Sequence, residues 1–108
     1  MPLTSEEIVF ATELFSGLGE ITTRRMMGGL CLYHEGTIFA IVHSDFGIMI
    51  KGAGPFQDKL DAMGCTRWTY QREGKKETAM PYWTLPDGLE DDPEAATVLA
   101  REALDHLR

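Results

Sequence analysis

Between Ile21 and Lys51 the apolar residues fall in short β-rich runs, and two glycine-bearing interruptions, Glu35-Gly36 and Asp45-Phe46-Gly47, cut those runs at hairpin spacing. Glycine supplies the positive φ that a tight reversal needs, so the pattern predicts consecutive antiparallel strands over residues 23–33, 37–43 and 46–51. Gly28-Gly29 falls inside the first strand and reads as a bulge or a close backbone approach. A meander of this kind buries one face, so something amphipathic must cover it.

The covering elements are helices. Thr4-Ser5-Glu6-Glu7 carries a capping box, in which Thr4 accepts from the amide of Glu7 and the Glu7 carboxylate reaches back. Ile8, Ala11, Phe15 and Leu18 follow at helical spacing, with Phe10 and Leu14 widening the stripe, until Gly17 and Gly19 stop it. Pro55 opens a second helix with Phe56, Leu60 and Met63 on one face, closed by Gly64. Asp92-Pro93 opens the last one, whose apolar face is Val98, Leu99, Ala103, Leu104 and Leu107. Between the second and third helices, a strand through Trp68 and Tyr70 turns at Gly74-Lys75-Lys76 into another through Thr78, Met80 and Tyr82. Pro81 in that run predicts an edge position or a bulge, because proline donates nothing to a ladder.

The expected fold is therefore α+β, one domain over residues 1–108. Its five mostly antiparallel strands form a sheet with helices on one face, in the order helix, three strands, helix, two strands, helix. A domain of this length buries roughly two-thirds of the surface its unfolded chain exposes, enough for an ordinary core without disulfide or metal staples. Cys31 and Cys65 are the only cysteines, with no C-x-x-C spacing, and read as a reduced pair.

The net charge of -7 opposes the phosphates of nucleic acid, so direct nucleic-acid binding is not expected. An acidic surface instead suits association with a basic protein patch. Acids near the N-terminus stand where a secretory signal would carry cations, and no run approaches the ~20 apolar residues of a membrane span. The expected location is cytoplasmic, without membrane contact.

No catalytic, metal or cofactor constellation emerges. His34, His43 and His106 lack a second His or Cys at ligand spacing, and Asp87, Glu90, Asp91 and Asp92 lack the alternating oxygen pattern of a calcium loop. Two binding sets remain. Arg24, Arg25, Gly28, Gly29 and Lys51 combine cations with exposed amides and would suit an anion, although alternation sends Arg24 and Arg25 to opposite faces. The simpler reading of that set is a bulge with solvated arginines. Trp68, Tyr70, Tyr82 and Trp83 concentrate aromatics near Arg67, Arg72, Lys75 and Lys76, which reads first as core packing and second as a stacking platform. Tyr82 and Trp83 point opposite ways, so one faces away from the helices and is the expected exposed aromatic of a protein interface.

Arg25-Met26-Met27-Gly28-Gly29-Leu30-Cys31-Leu32-Tyr33, Phe39-Ala40-Ile41-Val42, Trp68-Thr69-Tyr70, Met80-Pro81-Tyr82-Trp83, Leu85-Pro86, Asp91-Asp92-Pro93 and Arg101-Glu102-Ala103-Leu104 together resemble the TfoX N-terminal domain family. Met27 stands where the family usually has Phe, and Leu99 near a position where it often has Trp. The resemblance implies a secretion-chaperone-like fold, α-β-β-β-α-β-β-α. It also implies a non-enzymatic interaction role, as in the TfoX/Sxy regulators of natural competence that act with a cyclic-AMP receptor protein. Those longer members carry a second domain, and the expectation here is a stand-alone N-terminal domain. The functional expectation is a module that binds a protein partner or a second copy of itself, in a transcription or competence setting; the alternative is a small-ligand or anion-binding domain.

Overall fold

The computed structural model describes residues 3–26, 29–71 and 73–108, so Gly28 of the anion set and Arg72 beside the aromatic strands lie outside the described residues. Helix α1 spans Ser5–Leu14, and its capping box is in place: Glu7 N donates to Thr4 Oγ1 at 3.1 Å and Thr4 N to Glu7 Oε2 at 3.3 Å. A turn of 3-10 helix, Ser16–Leu18, ends it. Helix α2 runs Pro55–Ala62 and α3 Pro93–Leu107, the latter capped by Asp92, whose carboxylate accepts from Ala95 N at 3.1 Å. These caps form because each side chain satisfies amides that the first turn leaves without an intrahelical partner.

The sheet has six strands, one more than expected: β1 Thr22–Met26, β2 Gly29–His34, β3 Thr37–His43, β4 Gly47–Lys51, β5 Arg67–Tyr70 and β6 Thr78–Thr84. The predicted strand over 23–33 is two antiparallel strands, β1 and β2, paired from Met26↔Gly29 to Thr22↔Tyr33. Alternation alone does not separate one interrupted strand from two paired ones. Between β2 and β3 the two-residue turn puts Glu35 at φ 50° and Gly36 at φ 82°, the paired positive values of a tight hairpin.

Strand order is β1-β2-β3-β4-β6-β5, with every neighbouring pair antiparallel. Strand β6 thus lies inside the sheet, and Pro81 is no edge residue. The ladder with β5 slips between Arg67 and Thr69, and there the Arg67 Nε donates to Met80 O at 2.8 Å, a side chain standing in at the irregularity.

Alternation sorts the strands into two faces. Leu30, Leu32, Ala40, Val42, Ile48, Ile50 and Trp83 meet Ala11, Leu14, Phe56, Leu60, Leu99 and Leu104 from all three helices in one core. The other face carries Cys31, Ile41, Met49 and Tyr82 in a second, smaller cluster to which no helix contributes. Three residues placed on helical stripes by periodicity, Phe10, Met63 and Val98, are exposed instead. Helix α3 packs against both α1 and α2, and Lys59 on α2 is held to Glu102 on α3 at 2.6 Å.

Candidate functional site

The described members of the anion set do not converge. Arg24 pairs with Cys31 on the helix-free face and Arg25 with Leu30 on the helix side, both on the edge strand β1. Lys51 lies on β4 with β2 and β3 between, which at ~4.8 Å per strand puts roughly 14 Å of sheet between the backbones of Lys51 and Arg24. Gly29 has its own reason to be glycine: a Cβ there would run into the carbonyl oxygen of Val42 on β3. A close strand approach accounts for it, and no ligand is required.

The aromatic set divides as alternation requires, but with a correction. Trp83 belongs to the helix-covered core at 0% exposure, its Nε1 donating to Asp61 Oδ1 at 2.8 Å and the Arg67 guanidinium 4.5 Å from its ring centroid. Tyr82 does face away from the helices, yet it is only 3% exposed. It is covered from its own face, by Trp68 at 6.1 Å and by Lys51, whose Nζ lies 6.0 Å from the ring. Long side chains bent over small ones can close a sheet face without a second layer.

On this face the exposed rings are Phe46, 49% exposed, and Tyr70, 42% exposed. They flank one cluster: Phe46 to His43 5.1 Å, His43 to Trp68 5.3 Å, Phe46 to Trp68 6.1 Å and Trp68 to Tyr70 6.5 Å. All four contacts are tilted, the geometry that ring quadrupoles favour. Phe46 was legible only as a turn residue; the available signal was an aromatic in a tight reversal where polar residues are usual. Met26, also exposed, contacts the Tyr33 hydroxyl through its sulfur at 3.7 Å at the β1 end of this face.

Burial pushes three titrating groups upward, Tyr82 and Cys31 on this face and Cys65 on the other. Desolvation pushes the Tyr82 hydroxyl up to about 12, with Cys31 and Tyr33 adding to the shift. Burial also raises Cys31, opposed by the Lys51 charge, and it raises Cys65 with help from Asp61 and Asp87. Both thiols are free and buried, on opposite sides of the sheet. Thiols raised in this way are poor nucleophiles.

The histidines have local partners. His43 Nδ1 accepts from Asp45 N at 3.0 Å, His34 Nε2 lies 3.1 Å from Leu18 O, and His106 stacks on Phe56 at 5.7 Å. Among the described residues no three His, Cys, Asp or Glu side chains are placed to hold a metal ion, and no helix is long and apolar enough to cross a membrane.

The family model of the TfoX N-terminal domain matches residues 13–107. The DNA transformation protein TfoX1 of Aliivibrio fischeri (strain ATCC 700601 / ES114) is 25% identical over 91 residues, which are 84% of this chain and 43% of that protein. The chain therefore spans less than half the length of this relative. With its α+β order and with nearly all of its length matched, the chain belongs to the TfoX N-terminal domain family.

Proposed function

We propose that the chain is a non-enzymatic protein-interaction module that works through the helix-free face of its sheet. The observation that carries this reading is the exposed pair Phe46 and Tyr70 flanking the Trp68 cluster, on a face that no helix covers. Rigid aromatics bordering a buried apolar floor are the usual anchors of protein interfaces. The name of the TfoX1 relative, a DNA transformation protein, supports competence control as the setting.

The test is site-specific photo-crosslinking in cells of the native host. A benzophenone side chain replaces Phe46 or Tyr70, with Glu94 on α3 as the remote control. Both face positions should yield one common adduct that the control lacks. An adduct of twice the subunit mass identifies a second copy of the chain as the partner. Identical patterns from all three positions would refute the reading.

A further inference from the structure

On the opposite side of the molecule, helix α1 departs from the amphipathic rule. Ala11 and Leu14 are buried, yet Val9 and Phe10 stand 50% and 45% exposed, so the helix is apolar on two sides. A helix apolar beyond one stripe is built to be covered there as well. Beside it runs a groove of about 590 Å³ with Phe10, Val42 and Ile48 at its apolar floor, between α1 and the β3–β4 hairpin. A second hollow, on Val9 and Phe10, continues it along α1.

The rim is of one sign. Glu6 and Glu7 border the groove from α1 and Glu90 from the 3-10 turn Leu89–Asp91, while Glu13 borders the neighbouring hollow. Among the described residues no Lys or Arg lines either one. Glu7 is engaged in the capping box and Glu6 suits the dipole of the first turn. Glu13 has neither reason: it lies in the last turn, where a carboxylate opposes the dipole, and no ion-pair partner for it is found among the described residues.

We infer that this groove is a docking site for a basic amphipathic helix of a partner protein, laid beside α1 so that it extends the helix layer by one member. Apolar side chains at i, i+3/i+4 and i+7 would enter the Phe10–Val42–Ile48 floor, and Lys or Arg on the flanks would meet Glu6, Glu13 and Glu90. Helices pack at roughly 8–10 Å separation, so such a helix would cover both Val9 and Phe10. The inference rests on the reading of the chain as an interaction module, but at a different surface from the aromatic face.

The probe is a labelled helical peptide of about 18 residues, made of leucine and lysine with the leucines on one stripe. Its scrambled isomer and a leucine–glutamate version serve as controls, read by fluorescence anisotropy with the full chain. The striped cationic peptide should bind about tenfold tighter than its scramble, and the acidic version should not bind. Phe10→Ser should weaken binding about tenfold, and Glu6→Lys with Glu13→Lys should do the same while flattening the salt dependence. Circular dichroism checks that these surface variants stay folded, and amide shifts on peptide addition should centre on Val9, Phe10 and Ile48. Tyr70→Ser, on the helix-free face and away from the β3–β4 turn, should leave this affinity unchanged, so that loss of one surface is told from loss of the other. Equal binding of striped and scrambled peptides, or wild-type affinity in Phe10→Ser, would overturn the inference.

Discussion

The clearest quantitative consequence of the helix-free cluster is a stability term tied to Tyr82. Its hydroxyl is raised from 10.0 to about 12, first by burial. The folded state therefore holds this proton more tightly than the unfolded chain does. The sign follows from linkage: the contribution is fully present below pH ~10 and is lost as the pH climbs through ~12. A separation of about two pH units, at ~1.36 kcal/mol each, is worth roughly 2.7 kcal/mol. The perturbation is Tyr82→Phe, which removes the titrating group and keeps the ring against Trp68. Urea unfolding followed by far-ultraviolet circular dichroism from pH 8 to pH 12 gives both curves, and their difference cancels the other alkaline titrations. Wild type should lose about 2–3 kcal/mol more than the variant across that span. Phenolate absorbance should show one of the three tyrosines ionising last, and this component should be missing in the variant. A variant that falls as steeply as wild type would refute the claim that Tyr82 is sealed on the face no helix covers.

Trp83→Phe should cost about 3 kcal/mol in urea unfolding, from the lost indole bond to Asp61, the lost guanidinium stacking and the space the smaller ring leaves; a cost below ~1 kcal/mol would count against that packing. Gly29→Ala should destabilise by about 2 kcal/mol, because the added methyl meets backbone rather than a side chain that can swing away. Glu35→Asn should stabilise by about 0.5–1 kcal/mol, since Asn adopts positive φ more readily and the exposed contact of Glu35 with Arg108, at 3.5 Å, is worth little. Labelled oligothymidylate should show no anisotropy change with the chain at physiological salt, whereas saturable binding would redirect the aromatic face toward nucleic acid.

What could be read in advance was whatever local chemistry decides. Thr4 with Glu7, and Asp92 with Pro93, announce helix starts because a cap needs only neighbours three residues apart. Alternation likewise placed Tyr82 and Trp83 on opposite faces. The rest depends on distant partners. The connection that carries α2 takes the chain from β4 out to the edge strand β5, and β6 then returns to fill the place between them; nothing near Pro81 signals that placement. The burial of Tyr82 depends on Lys51 and Trp68, each more than ten residues away in sequence. The groove joins α1 to a hairpin some thirty residues later. Its sequence trace was limited to Phe10, read as part of a core stripe when it points out of it.

Net charge proved a coarse guide, because it averages over two unlike faces. The acids that border the helix-side groove contribute to the -7, whereas Arg24 and Lys51 sit on the helix-free side. Aromatics with cations on a sheet also describe a single-strand platform, so the choice between protein and nucleic acid turns on arrangement. A strand of nucleic acid requires a continuous cationic track and ring faces left open for bases. Here the cations Arg24 and Lys51 are separated by two strands, and Trp68 meets His43, Phe46, Tyr70 and Tyr82 at tilts of 44° to 55°, each ring leaning on the next. Rings so engaged offer edges and partial faces rather than stacking steps. That geometry suits the irregular apolar relief of a protein surface, which supports the proposal of a protein partner for the helix-free face.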